Sequence, residues 1–241
     1  MSTSLTTLDF INGLFSLLVI SVTTIVGILI TFKYLKYKKK IFFYWGLYYI
    51  GAYCPWWSSA FSFVSYWFTG NSLPLAVYIG IGILISPIII ILWILGLTEM
   101  IYERKRIILI LIYSIISVIF ELYCIYFLII NPEVLGVKER IFDIKYSLIV
   151  TVYFIWLSLT IVITGLLFAK ESFKSEDREV RFKGKALIIA FLTYPICGLL
   201  DSAFNLNEIG LILVRSILMF GAFMFYIGFF VPKFIKNIFH L

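Results

Sequence analysis

The sequence contains seven long apolar segments that are separated by short polar connections. Each has about 20 or more residues, and a helix of that length crosses the roughly 30 Å hydrocarbon core of a bilayer. With 62% hydrophobic and 14% charged residues, the chain has too few polar side chains to cover a soluble surface. The sequence therefore predicts an all-α polytopic membrane protein, one transmembrane domain over 1–241, with a seven-helix bundle spanning residues 10–32, 41–68, 75–98, 107–130, 146–169, 186–204 and 209–231.

Basic residues are concentrated in alternate connections. Lys33–Lys40, Glu103–Arg106, Lys170–Lys185 and the C-terminal tail together hold 16 of the 20 lysines and arginines. Since cytoplasmic loops of membrane proteins are enriched in these residues, we expect the N-terminus outside and the C-terminus in the cytoplasm of a multi-pass protein of the cell membrane. Such a basic face suits anionic lipid, so the lipid bilayer is the expected partner and nucleic acid is not.

The small number of histidines and cysteines excludes several kinds of catalytic and metal site. The only histidine is His240, so histidine-ligated haem, HExxH metal sites and Ser–His catalysis within the bilayer lack their imidazole. Cys54, Cys124 and Cys197 each fall within an apolar segment, and no CxxC pair exists, so no disulfide framework is expected. The sequence predicts no cofactor and no metal, and it favours a protein that is not an enzyme.

Three ionisable residues inside apolar segments are the candidates for a ligand site. A charge within hydrocarbon costs roughly 2.5–3.5 kcal/mol on insertion scales, and such residues usually face the bundle interior with a partner. Glu121, Asp201 and Arg215 all lie in the outer halves of their segments. Because a tight turn joins the sixth and seventh segments, we expect Asp201 to pair with Arg215, with Glu121 nearby or facing the same cavity.

Other polar residues are spaced so that they share a helix face with these ionisable residues. Ser117 precedes Glu121 by four residues, and Tyr194 and Asn205 lie on either side of Asp201. The stripes predict a polar cavity that opens outward and binds a small molecule or a lipid, while a closed structural cluster of paired charges is the alternative. The expected ligand-binding residues are Glu121, Asp201, Arg215, Ser117, Tyr194 and Asn205.

A faint internal repeat favours a second interpretation. Three pairs of short matches occur in the same order in the first three and last three segments, at 21–33 and 158–170, 58–61 and 201–204, and 81–87 and 209–216. This order is typical of transporters built from two three-helix repeats around a connecting helix. Pro55, Pro87 and Pro195 lie within segments and are each expected to kink a helix.

The layout also resembles that of known families. Glu103–Arg104 at the cytoplasmic end of the third segment resembles the acidic–Arg pair of rhodopsin-like receptors, although the sixth segment has no CWxP motif. The 3+1+3 order is similar to that of the sugar-exporting family, whose Pro-Gln signature is missing. The heptahelical sensor modules of prokaryotic signalling proteins share the layout but normally precede an output domain. These resemblances assign no family.

The predicted function is that of a heptahelical sensor or receptor-like protein that binds a small ligand in an outer-half cavity. A small-solute transporter with 3+1+3 helix repeats is the alternative, and an intramembrane enzyme is the third. In a sensor, the signal would pass through Lys170–Lys185, whose six basic and four acidic residues suit a cytoplasmic protein partner. An ordinary solvated loop is the other interpretation of that segment.

Overall fold

Helices make up most of the chain in the computed structural model, which describes residues 5–204 and 206–239. The helices are α1 (Thr7–Tyr37), α2 (Lys40–Gly51), α3 (Cys54–Thr69), α4 (Leu75–Ile83), α5 (Ser86–Met100), α6 (Arg106–Ile130), α7 (Leu148–Ser172), α8 (Arg178–Ala203), α9 (Glu208–Phe229) and α10 (Lys233–Phe239). Two strands, β1 (Gly136–Arg140) and β2 (Asp143–Tyr146), lie between α6 and α7. Single 3-10 turns cover Glu103–Lys105 and Pro132–Val134.

Six stretches of helix within the described residues are long and apolar enough to cross a membrane. They are Thr7–Tyr37, Leu75–Met100, Glu103–Ile130, Leu148–Ser172, Arg178–Ser202 and Glu208–Phe229. They coincide with the first and with the third to seventh predicted spans. The second predicted span, 41–68, is instead divided between α2 and α3, and neither half reaches that length alone. The architecture is that of a multi-pass membrane protein.

Polar side chains cap the N-termini of three helices. Thr6 and Asp9 form a capping box at the start of α1, in which the Asp9 backbone N–H donates to Oγ1 of Thr6 at 3.1 Å. Asp177 and Asn207 accept backbone hydrogen bonds at the starts of α8 and α9. Each cap satisfies a backbone donor that the first helical turn leaves free, which fixes where the helix begins.

Two of the three intrasegment prolines coincide with helix interruptions. Pro55 lies in the first turn of α3, directly after the break at residues 52–53, and Pro87 lies in the first turn of α5, after the turn at residues 84–85. A proline has no N–H to bond to the preceding turn, and its ring crowds that turn, so the helix begins anew. The expected disturbance is confirmed at these two sites. Helix α8 continues through Pro195.

The β-hairpin is the element that the all-α prediction missed. β1 and β2 pair antiparallel, with Gly136 opposite Tyr146 and Val137 opposite Lys145. Burial alternates along β1, and charged and apolar residues alternate along β2, which is the period of two that an extended strand requires. The run of three charged residues in β1 hides this period in the sequence, which indicates only a connection.

Phe142 joins the two strands and anchors the hairpin to the helices. Its side chain is fully buried, with its ring centroid 5.5 Å from that of Phe63 and 5.6 Å from that of Tyr66 on α3. Its carbonyl accepts hydrogen bonds of 3.0 Å from Nδ2 of Asn12 and from the Tyr78 hydroxyl. The hairpin is therefore held against α1, α3 and α4.

Aromatic residues fill the centre of the bundle. The rings of Trp45 on α2 and Trp93 on α5 stack with centroids 4.6 Å apart, and Nε1 of Trp45 donates to the Trp93 carbonyl at 3.1 Å. Phe191 on α8 packs edge-on against Trp93 at 5.2 Å, and Tyr49 stacks on Phe225 of α9 at 4.0 Å. Large rings with satisfied polar groups stabilise a core strongly, and here they join α2, α5, α8 and α9.

Helix α6 lies at the edge of the bundle. In the apolar stretch of the span that contains α6, only 17% of the residues are buried, the smallest share among the six candidate spans. It contacts α5, and it meets α7 through stacked rings, with Phe120 3.6 Å from Tyr153 and Tyr113 5.0 Å from Trp156. The rest of its apolar surface is exposed, as a helix that faces lipid requires.

Candidate functional site

The candidate site is centred on an ion pair between Asp201 of α8 and Arg215 of α9. Nη1 of Arg215 lies 3.0 Å from Oδ2 of Asp201, and the two side chains are 3% and 24% exposed, respectively. The short connection between α8 and α9 makes them packed neighbours, so the two residues meet at the same level of the bundle. This is the pair that the sequence predicts.

Neighbouring helices hold the ion pair in place. Nε1 of Trp56 on α3 donates a hydrogen bond of 2.9 Å to Oδ2 of Asp201, and the guanidinium carbon of Arg215 lies 5.3 Å from the centroid of the same indole. This is a cation–π distance. Nη2 of Arg215 donates to Oδ1 of Asn12 on α1 at 3.0 Å. The pair is thus linked to α1, α3 and, through Asn12, the hairpin.

The guanidinium of Arg215 retains unused donors. Its Nε and Nη1 atoms are buried and have no hydrogen-bond partner among the described residues. The 3.0 Å approach of Nη1 to Asp201 is an ionic contact without hydrogen-bond geometry. Buried polar atoms nearly always have a partner, so the guanidinium can still donate to a further acceptor.

A cavity of about 150 Å³ adjoins the ion pair. Helices α3, α4, α7, α8 and α9 and strand β2 line it. Its charged lining consists of Asp143, Asp201 and Arg215, and Tyr146, Phe154 and Tyr194 are among the aromatic residues around them. Pockets for drug-sized ligands measure roughly 300–1,000 Å³, so this cavity suits a smaller molecule.

Asp143 gives the cavity a second carboxyl group, contributed by the hairpin. Burial raises the pKa of Asp143 to about 6, and the negative charge of Asp201 acts in the same direction. The Ile144 backbone N–H, 2.9 Å from Oδ1 of Asp143, and the charges of Arg215 and Arg140 oppose that rise. The charge of the cavity therefore changes close to neutral pH.

The structure brings three of the predicted site residues together. Asp201, Arg215 and Tyr194 all line the cavity, and the Tyr194 hydroxyl donates to the carbonyl of Ala52 at 2.9 Å, at the break between α2 and α3. Glu121 and Ser117 lie on α6 and are not among the described residues that line this cavity. Asn205 lies outside the described residues.

Glu121 is placed at the contact between α6 and α7 instead of at the ion pair. Oε2 of Glu121 is buried and has no hydrogen-bond partner among the described residues. Ser117, four residues earlier on α6, is 3% exposed. The two residues belong to a separate polar position at the edge of the bundle.

Three residues of the site were not predicted from the sequence. In the sequence Trp56 is one aromatic residue of an apolar segment, Asn12 is an amide within the first span, and Asp143 lies in the connection that forms the hairpin. An amide inside an apolar segment is a signal of the same kind as the charges and would have pointed to Asn12. No spacing rule relates Trp56 or Asp143 to Asp201.

No protein-family model matches the chain, and comparisons with curated proteins and with solved structures found no match. Within the described residues, no three His, Cys, Asp or Glu side chains are grouped to hold a metal ion. The cavity and its charged lining are therefore the basis for a functional inference.

Proposed function

We propose that the protein is a receptor-like membrane protein with seven spans that binds a small ligand in the cavity beside Asp201 and Arg215. The observation that carries this proposal is the buried guanidinium of Arg215, a residue that lines the cavity and whose Nε and Nη1 atoms lack a hydrogen-bond partner among the described residues. A closed structural cluster would satisfy these donors internally. A binding cavity leaves them for a ligand.

The second of the seven spans is assigned to α2 and α3 together. They cover Lys40–Thr69 with only residues 52 and 53 between them, a length sufficient to cross a bilayer. The alternation of basic connections then supports an N-terminus outside and a C-terminus in the cytoplasm. In this orientation the hairpin and the cavity belong to the outer half.

Helix α2 provides a route from the cavity to the cytoplasmic side. It runs from Lys40, in the basic connection after α1, to the break beside the cavity. At this break the Ala52 carbonyl accepts the hydrogen bond from Tyr194, which itself lines the cavity. A ligand that moves Tyr194 changes this contact, and α2 transmits the change toward Lys170–Lys185 and a cytoplasmic partner.

A small-solute transporter is the second candidate. Pro55 and Pro195, on α3 and α8, both line the cavity. Helices that are broken or weakened beside a central site are typical of transporters, in which one helix repeat moves against the other. The same cavity would then bind a substrate that crosses the membrane.

Thermal unfolding of the purified protein in detergent tests the binding proposal. A panel of small metabolites is screened for stabilisation, since a ligand that binds the folded state raises the unfolding temperature. Gly198→Leu fills the cavity, because Gly198 lines it. Gly198→Ala is the matched control, since an added Cβ would lie 3.9 Å from Cη2 of Trp56, an ordinary contact.

Compounds that stabilise the wild type and Gly198→Ala but not Gly198→Leu bind in the cavity. If no compound in the panel shows this pattern, the proposal fails. Reconstituted vesicles then separate the two candidates. A receptor binds such a compound without moving it across the membrane, whereas flux that Gly198→Leu abolishes would replace the receptor proposal with the transporter.

A further inference from the structure

The charged groups around the cavity indicate the chemical class of its ligand. We infer that the ligand is a small organic cation whose ammonium group lies between the carboxylates of Asp143 and Asp201, and which carries a hydrogen-bond acceptor for Arg215. This inference rests on the proposed function and specifies the ligand of the same cavity.

The lining has one more carboxylate than it has cations. Among the described residues that line the cavity, Asp143 and Asp201 face a single charged base, Arg215. Of the other cations of the hairpin, Arg140 lies opposite Asp143 in the strand register but is not among the described residues that line the cavity, and Lys138 and Lys145 have partners elsewhere. Nζ of Lys138 donates to the Leu73 carbonyl and to Oγ of Ser72, and Lys145 lies 3.8 Å from Glu139. With both carboxyl groups ionised the lining has a net charge of −1, which a monocation neutralises.

The two carboxylates are not equivalent. Asp201 is already paired with Arg215 and accepts the hydrogen bond from Trp56. Asp143 accepts a hydrogen bond from the adjacent Ile144 backbone N–H, and among the described residues it forms no ion pair, since Arg215 and Arg140 act on it only from beyond ion-pair distance. A second carboxylate near a satisfied ion pair is unfavourable unless a cation accompanies it, so Asp143 is the principal counter-ion of the ligand.

The remaining lining fits the body of such a cation. Tyr146, Phe154 and Tyr194 present aromatic side chains, and aromatic rings attract organic cations through their negative faces. Ile155 and Leu199 add aliphatic surface. Arg215, 3% exposed and with Nε and Nη1 lacking partners among the described residues, requires a neutral acceptor such as a hydroxyl or carbonyl oxygen. A ligand carboxylate would meet Asp143 and Asp201 as like charges.

Matched pairs of compounds test the charge requirement. The probes are ethanolamine, 2-amino-1-cyclohexylethanol and 2-amino-1-phenylethanol, each compared with the diol in which a hydroxyl group replaces the ammonium. Thermal stabilisation of the full-length protein in detergent is measured as a function of concentration at about pH 7.5. We expect at least one amino alcohol to stabilise the protein at a concentration at least tenfold lower than its diol.

Asp143→Asn tests the counter-ion and leaves the Asp201–Arg215 pair intact. We expect this variant to lose at least tenfold in affinity for the amino alcohol but not for its diol. Glu139→Gln is the matched control, because it removes one negative charge from the same hairpin at a side chain that is 44% exposed. An equal loss in both variants, or none in Asp143→Asn, would overturn the inference.

The wild type offers a test that needs no substitution. Asp143 faces Asp201 on α8, Arg215 on α9, Arg140 on β1 and Tyr78 on α4. Because its pKa is raised to about 6, affinity for the amino alcohol should fall as the pH decreases below that value. Affinity that stays constant between about pH 7.5 and pH 5 contradicts the assigned counter-ion.

The outcomes separate this inference from the proposed function. If diols or carboxylates bind in the cavity as well as the amino alcohols, judged by loss in Gly198→Leu, the ammonium inference is wrong and the binding proposal stands. If none of these probes binds but another class of compound does, the ammonium inference is again wrong and the binding proposal again stands. If no compound of any class binds in that way, both fail.

Discussion

Oδ2 of Asp201 accepts the hydrogen bond of 2.9 Å from the indole of Trp56 and also lies 3.0 Å from Nη1 of Arg215. A single carboxylate oxygen thus joins α3, α8 and α9. Because the guanidinium is the more deeply buried partner, its stability in the bundle depends on that carboxylate. This dependence leads to the first prediction.

Asp201→Asn should destabilise the protein more than the simultaneous change of both partners. The single substitution leaves the Arg215 guanidinium, 3% exposed, without its counter-charge, and breaking a buried pair in this way costs up to about 3–5 kcal/mol. Asp201→Asn combined with Arg215→Leu removes both charges of the pair and should be milder. Thermal unfolding in detergent compares Asp201→Asn, Arg215→Leu and the double variant. Additive losses would show that the side chains do not interact.

Close packing of α2 against α5 leads to the second prediction. A Cβ added at Gly96 would overlap Nε1 and Cδ1 of Trp45, whose indole is fixed by its stack on Trp93 and its hydrogen bond to the Trp93 carbonyl. Gly96→Ala should therefore lower stability by about 1–3 kcal/mol.

Gly198→Ala is the control for this substitution, since its added Cβ would lie 3.9 Å from Cη2 of Trp56, an ordinary contact. Its effect should range from neutral to stabilising by about 1 kcal/mol, because alanine is the better helix former. Both variants are compared by unfolding temperature in the same detergent. Equal effects at the two glycines would mean that helix propensity, and not the contact with Trp45, determines the result.

Much of the architecture could be predicted from the sequence because it depends on local properties. Apolar segments of sufficient length became helices, and Pro55 and Pro87 coincide with interruptions because proline cannot bond to the preceding turn. The Asp201–Arg215 pair was also accessible, since a short connection forces α8 and α9 to be neighbours. The seven-span count and the orientation stay predictions.

The rest of the site depends on long-range packing. The polar stripe of α6 indicates which face of that helix is polar, but not which part of the bundle it meets. The structure places Glu121 and Ser117 outside the cavity lining for this reason. Asp143 reaches the cavity only because Phe142 anchors the hairpin against α1, α3 and α4. Such contacts join residues that are more than 60 positions apart, and no periodicity encodes them.

Cysteine labelling tests the orientation, which is the third prediction. We expect a cysteine at Glu133, exposed in the connection between α6 and β1, to react with a membrane-impermeant reagent added outside intact cells. A cysteine at Glu176, exposed between α7 and α8, should react only after permeabilisation. Native Cys54, Cys124 and Cys197 are buried and give a low background. Labelling in the opposite order would reverse the orientation.

The fourth prediction concerns the pH dependence of stability. Burial and the charge of Asp201 raise the pKa of Asp143 from 3.8 to about 6, so between these values the folded state holds a proton that the unfolded state has released. Stability therefore decreases as the pH rises through this range, and the loss is complete above about pH 6. The shift in the pKa of Asp143 corresponds to at most about 3 kcal/mol of stability.

Asp143→Asn, which cannot ionise, should be more stable than the wild type at about pH 7.5, and its stability should change less with pH. Unfolding temperatures of the wild type, Asp143→Asn and the exposed control Glu139→Gln, measured from about pH 4 to pH 7.5 in ligand-free detergent, check this. If the wild type and Asp143→Asn have parallel profiles, the Asp143 carboxyl group is hydrated and does not contribute a buried charge to the cavity.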